Sequence, residues 1–434
     1  MRAPAASARE RLELALSRID DRKGEGRRAC LTVYAESARR EADAADARGR
    51  ANAPLGPIDG AIVSIKDLFD VAGEVTRAGS KVLLSEGKVA TADAPAVARL
   101  RAAGAVIVAK TNMTEFAFSG VGLNPHFGTP GNPHDRSRIP GGSTSGGAVA
   151  VADGMCEIAI GSDTGGSTRI PAALCGIVGW KPSKQRVPTE GAFPLSVTLD
   201  SIGPMARTVA DCARADAVMA GESWRELEPI AMSGLRIGIL HGLPFENLER
   251  DVETAIGKVV ADLEKTGVRL SEEKISLLDE MTAVNAKGGF APAEAYEIHR
   301  ERLHRRGQDI DPNVRARIER GSSITPAIYR EMKAERARLV RAIDARLAGL
   351  DAILLPTTAI AAPKMSEVAT PGEFAANNAL LLRNPALVNF FDLCAVSLPV
   401  PGTGLPVGVM FAARNGQDHR LLAIAAAVER LLAG

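Results

Sequence analysis

At 434 residues the chain is long enough for two or three domains or one large α/β unit, since domains commonly hold about 100 to 200 residues. Its 53 Lys and Arg offset 52 Asp and Glu, and a formal charge of +1 provides no global field to gather nucleic acid or an anionic membrane surface. Apolar residues at 46% and aromatics at only 4% describe ordinary globular composition with few rings for stacking on bases or sugars, so a ligand must be held in a local site.

Residues 1–50 read as one or two helices, with Leu12, Leu14, Leu16 and Ile19 set among charges and Ala-rich stretches, lying on the outside of the core. From Gly60 the character changes. AIVSIKDLFDV is a β-branched run closed by charges, and AGAVIVAK at 103–110 is another, reached through a helix-like DAPAVARLRAAG that Asp93 can cap and Gly104 can end. Apolar strands recur at LRIGIL (235–240), DAILLP (351–356), AVSLPV (395–400) and LPVGVMFAA (405–413), separated by amphipathic helices. The fold class is therefore α/β, a sheet covered by helices on both faces. Residues 215–234 read as a connection between two halves. The Arg-rich 299–320 interleaves Glu301, Asp309, Asp311 and Glu319 with its bases, which makes it a solvated helical face and not a nucleic-acid patch. Thr325 and Pro326 then start a scaffold helix whose inward stripe is Ile328, Met332, Leu339, Ile343 and Leu347.

The five cysteines are odd in number, widely spaced and without a CxxC pair, which disfavours a disulfide framework or zinc ribbon and fits a reducing, cytoplasmic setting. The opening MRAPAASARERLELALSRIDD mixes acids into its first turns, so no secretory leader is expected. The longest apolar run, LLAIAAAVERLL, is broken by Glu429 and Arg430, so no membrane span is expected either.

The chemistry concentrates in residues 139–182, IPGGSTSGGAVAVADGMCEIAIGSDTGGSTRIPAALCGIVGWKP. Two Gly/Ser clusters bracket an apolar span, and Gly-rich turns pinned between buried elements are where backbone N–H groups can converge on a ligand. A phosphate site would need GxxxxGK[ST] or an early GxGxxG, and neither occurs; a nucleophile elbow would need GxSxG, which Ser143, Ser145 and Ser167 all fail to supply. The six histidines form no HExxH pair and no short zinc spacing, and are assigned mostly to surface or loops. A serine nucleophile without histidine needs another base, and a desolvated lysine is the physical alternative. Lys66 ends AIVSIKD and Lys110 ends AVIVAK; spacing alone leaves the two equivalent.

These residues closely resemble the amidase signature family of Ser-cisSer-Lys hydrolases, which includes bacterial amidases and the A subunit of the Gln-dependent tRNA amidotransferase. The resemblance is carried by GPIDGAIVSIKDLFDVAG, GAVIVAKTNMTEFAFSG, GGSTSGG, GSDTGGSTRIPAALCGIVGWKPS and DSIGPMARTVADC, with weaker echoes in DAILLPTTAIAAP and LPVGVMFAAR. It implies a large mixed, twisted sheet with helices on both faces, one domain over 1–434 with the helical segment 1–50 and a variable, mainly helical region near 280–350. It implies further that Lys66 is the base, Ser143 a bridging serine after a cis Gly142–Ser143 peptide, and Ser167 the nucleophile. The backbone N–H groups of Thr164, Gly165, Gly166 and Ser167 then form an oxyanion hole. Thr144 and Ser145 depart from the family's Ser-Gly, so GGSTSGG replaces GGSSGG. Asp163 and Arg169 are expected to hold the turn. Gly142, Met113 and Phe118 are assigned to substrate binding, with further pocket walls between about 285 and 330. The expected activity is cleavage of the C–N bond of a small or medium amide, aryl amide or carbamate through an acyl-enzyme; the alternatives are a carbamate (urethane) hydrolase and a glutaminase of the amidotransferase A type. No metal or organic cofactor, no nucleic acid and no membrane partner is called for, and a homodimer is left open.

Overall fold

The computed structural model describes residues 6–434; the first five residues of the expected N-terminal helical segment lie outside them. Eleven strands form one mixed sheet: β1 Cys30–Val33, β2 Ile62–Lys66, β3 Val106–Thr111, β4 Ile158–Asp163, β5 Val178–Lys181, β6 Ser201–Ala206, β7 Arg236–Leu240, β8 Arg269–Glu273, β9 Ala352–Pro356, β10 Cys394–Pro399 and β11 Gly408–Ala413. Their order is β1-β3-β2-β4-β6-β5-β10-β11-β9-β7-β8. The pairs β3–β2, β2–β4, β9–β7 and β7–β8 are parallel; the rest are antiparallel.

Strand alternation sends side chains into cores on opposite faces. Val63, Ile65, Ile158 and Ile160 join one cluster with Val97 and Leu100 of the helix Pro95–Ala102 and Cys212 of the helix Val209–Ala220. Ile62, Val106, Val108 and Ala159 join another with Leu12, Ala42 and Val149 from helices Ala8–Asp20, Ala35–Arg50 and Ser145–Ala152. Both faces of the central strands are thus covered, which is why they read as unbroken apolar runs.

Four local expectations change. The segment up to residue 50 contains β1 between its helices, pairing antiparallel with β3 at the sheet edge. Asp93 does not cap the next helix: Pro95 opens it, and Asp93 accepts from Ala72 N–H and pairs with Arg101. The supposed connection from 215 is helical to Ala220 and stops at Gly221, whose φ of +76° suits a left-handed helix end. The Arg-rich stretch is two helices, Phe290–Arg306 and Pro312–Glu319, and part of it turns inward, as described below. The scaffold helix Pro326–Arg346 does form, capped by Thr325 and burying Met332, Leu339 and Ile343. All five cysteines are buried and unpaired, and among the described residues no helix is long and apolar enough to cross a membrane.

Candidate active site

Lys66 ends β2 and Ser162 lies near the end of β4, its parallel neighbour, so the two meet at the carboxyl ends of adjacent strands, where α/β sheets commonly place ligands. Lys66 is fully buried; its Nζ donates to Ser143 Oγ at 2.7 Å and to Ser162 Oγ at 2.9 Å. Burial pushes the Lys66 amine down from 10.5 to about 7, against the pull of the Asp163 and Asp200 carboxylates toward the cation. The two other deeply buried lysines are held differently. Lys110 Nζ lies 3.4 Å from the Glu74 carboxylate, and Lys181 donates to the carbonyls of Pro182 and Leu393, both at 2.8 Å. Of the two lysines that spacing could not separate, Lys66 is the one that meets serine hydroxyls.

The turn bearing Ser143 is fixed from both sides. The Gly142–Ser143 peptide is cis, Ser143 O accepts from Thr114 N–H at 3.0 Å, and Thr144 N–H donates to Ser167 O at 3.3 Å, tying this turn to the one that carries Ser167. Thr144 rests on Gly161 of β4: a Cβ at that glycine would come 2.6 Å from Thr144 Oγ1. The departure from the family's Ser is thus accommodated by close approach to a bare backbone.

Asp163 organises the second turn. Its carboxylate accepts from Gly166 N–H (2.9 Å), Thr168 N–H (3.1 Å) and Thr168 Oγ1 (2.9 Å), pairs with Arg169 Nη2 at 2.8 Å, and accepts from Asn389 Nδ2 at 2.9 Å. Burial alone would raise this carboxyl, but the Arg169 guanidinium and Lys181 hold it well below the usual carboxylate range. Asp163 and Arg169 are accordingly an internal clamp on the turn, as expected. Thr164 Oγ1 donates to Asp200 Oδ1 at 2.5 Å, which anchors the front of the turn to the loop before β6.

Ser167, almost fully buried, opens onto a cavity of about 160 Å³ together with Thr164 and Gly165. Phe118 lines it, and so do Asn285, Gly289, Phe290, Ala291, Pro292 and Arg317 from the 285–330 region assigned to pocket walls. Met113 and Gly142 are not among the residues that line this cavity: Met113 is buried, its carbonyl accepting from Asn124 Nδ2, and Gly142 N–H donates to Gly120 O. Two corrections follow. Arg317 is half-buried, stacked on Phe118 and lining the cavity, so it does not belong to a wholly solvated face. His299 is not a surface residue but sits fully buried against the ring of Phe116, 4.1 Å between centroids. Sequence reasoning also missed Ser162, Asp200 and Asn389, and the opposite wall formed by Leu382, Ala386 and Phe390, which fall four apart on one face of the helix Pro371–Phe390. That spacing was a usable signal; nothing local marks Asn389 as the partner of Asp163.

A family model described as Amidase matches residues 10–422. The chain belongs to the amidase family. Among its relatives there, a 2-amino-5-chloromuconic acid deaminase from Comamonas testosteroni is 33% identical over 385 residues, covering 87% of this chain and 83% of its own. The A subunit of a glutamyl-tRNA(Gln) amidotransferase from Symbiobacterium thermophilum is 34% identical over 467 residues, covering 98% and 93%. A crystal structure of an amidase superposes with a TM-score of 0.86 at 33% identity, covering 98% of this chain and 96% of that one. The mixed sheet with helices on both faces is thus the architecture of solved amidase enzymes.

Proposed function

We propose that this amidase-family chain hydrolyses the C–N bond of a small or medium amide, aryl amide or carbamate through an acyl-enzyme on Ser167. The observation that carries the reading is a desolvated Lys66 amine 2.7 Å from Ser143 Oγ. In its neutral form the amine accepts the Ser143 hydroxyl proton while Ser143 accepts that of Ser167, so the attacking oxygen is activated without imidazole. With one N–H given to Ser162, the neutral amine can turn its lone pair toward Ser143 Oγ, reversing the bond it donates as a cation. Attack on the carbonyl puts negative charge on its oxygen. Gly166 N–H is already held by Asp163, so the N–H groups of Thr164, Gly165 and Ser167 are the donors for that oxyanion, each such donor being worth about 10² to 10³ in rate. The relayed proton passes to the leaving amine, and water releases the acyl group by the reverse path.

A fluorophosphonate tests this directly: it should label the wild-type chain and leave Ser167→Ala unlabelled, with Ser167→Ala inactive on acetanilides, aliphatic amides and nitrophenyl carbamates alike. Labelling that persists in Ser167→Ala rejects the assignment. The near full-length match to the A chain of an amidotransferase supports a second reading, a glutaminase that delivers ammonia to a partner. Glutamine hydrolysis that appears only with a co-purifying protein would favour it.

A further inference from the structure

Arg317 sits on the helix Pro312–Glu319 and lines the same cavity as Ser167. Its guanidinium carbon stands 4.5 Å from the Phe118 ring centroid, and its Nε is buried with no hydrogen-bond partner among the described residues. The acids nearby in sequence are engaged elsewhere, Asp309 with Arg306 and Glu319 with Arg315. Burial, with the like charge of Arg320 added, pushes the guanidinium down to about 10, still a cation at neutral pH.

A half-buried cation with no acid beside it is costly to keep, and an aromatic face offsets only part of that cost. Much of the wall is apolar, with Leu199, Pro292, Leu382 and Phe390 around it, and Arg317 is the one charged side chain among lining residues whose other polar members, Ser119, Thr164, Ser167 and Asn285, are neutral. A lone planar fork of N–H donors in such a wall is the arrangement that selects a carboxylate. The cavity is small enough for one short molecule to reach both Arg317 and Ser167. After the amine leaves, only the acyl part remains in place, so a carboxylate there stays anchored through both half-reactions.

Building on the amide-hydrolase reading, we propose that the substrate is a short amidic acid, an amide whose acyl portion carries a carboxylate that pairs with Arg317 while its carbonyl meets Ser167. Water adds across the C–N bond, giving a dicarboxylic acid and ammonia or an amine.

The test is protection of Ser167 from a fluorophosphonate by succinate, glutarate or adipate, each compared with its diamide and with glycine, whose carboxylate lies on the amine side. At least one dicarboxylate should slow labelling about tenfold or more at millimolar concentration where its diamide does not. That ratio should collapse toward one in Arg317→Met and recover in part in Arg317→Lys, with folding of both checked by circular dichroism. No protection by any dicarboxylate, equal protection by acid and diamide, stronger protection by glycine, or an undiminished ratio in Arg317→Met each overturns the proposal. If Arg317→Met fails to fold, the wild-type comparison decides alone. Absence of labelling in the unprotected wild-type chain would instead refute the serine-hydrolase reading.

Discussion

The most exacting consequence of the site concerns pH. Lys66 can accept a proton only when neutral, and its buried position brings the amine from 10.5 to about 7. That difference is about 5 kcal/mol of lost preference for the cation. At pH 7 about half of the molecules then carry a neutral amine, against about 0.03% for an unshifted lysine, so burial raises the competent fraction roughly a thousandfold. The sign follows from the direction of the shift: the neutral fraction grows as pH rises through the folded value. Rates of fluorophosphonate labelling, or kcat/KM for any amide turned over, measured from pH 5 to 10 should therefore rise about tenfold per unit well below pH 7 and level off above it. Lys66→Ala should lose most of the rate together with that acid limb. A profile still climbing through pH 9, or an acid limb that persists in Lys66→Ala, would refute the neutral-lysine mechanism, because a group other than this amine would then set the pH dependence.

Other predictions concern the turn. A methyl group on Gly166, whose φ is +122°, would come 2.4 Å from Pro385 Cβ, whereas one on Gly165 would first meet Leu382 Cδ2 at 3.5 Å. Gly166→Ala should therefore lower the melting temperature, by strain of about 1 to 3 kcal/mol, and cut activity at least tenfold, while Gly165→Ala should fold like the wild type. Equal thermal stability of the two variants would show that the turn does not hold this shape. Arg169→Met leaves the Asp163 carboxylate buried without its cation, which should cost about 3 to 5 kcal/mol; a denaturant midpoint close to wild type would contradict the clamp. Ser143→Ala removes the hydroxyl proposed to relay the proton from Ser167 to Lys66 and should reduce kcat by about 10² to 10⁴ with little change in melting temperature, whereas near-normal turnover would mean that Ser167 is activated without that relay.

What could be read from the residues and what could not divides along the distance between interacting groups in the chain. A strand end such as AIVSIKD and a turn such as GSDTGGS are local instructions, so the positions of Lys66 and Ser167 and the need for glycine near them were visible. So was the layered architecture, since buried strands alternate with amphipathic helices over most of the length. The Ser162 hydroxyl was in plain view two residues into that turn motif, but its use depends on β4 lying beside β2, which no local pattern encodes. The short β1 strand escaped for a related reason: four residues between helices carry too little alternation to stand out, and its pairing with β3 comes from tertiary context.

Arg317 shows the same limit in its sharpest form. The surrounding 299–320 segment has the charge balance of a solvated surface, and three of its seven arginines pair locally with acids. Composition averages over the helix, whereas specificity depends on which single position of the helix faces the cavity. Arg317 follows Val314 by three residues and precedes buried Ile318 by one, so its side chain leaves the helix at the margin of the buried stripe. A cation at such a margin either reaches solvent or meets whatever lies beneath, and here Phe118 and the Ser167 cavity lie beneath. The hydroxyls and lysine of the proposed catalytic set are therefore placed by short motifs near the strand ends, while the walls of the cavity beside Ser167 come from helices within residues 285–330 and 382–390. Two enzymes with identical turns at Ser143 and Ser167 can differ entirely in the acyl group they accept, which is why a residue such as Arg317, and not the motif, is the place to look for the chemistry of the substrate.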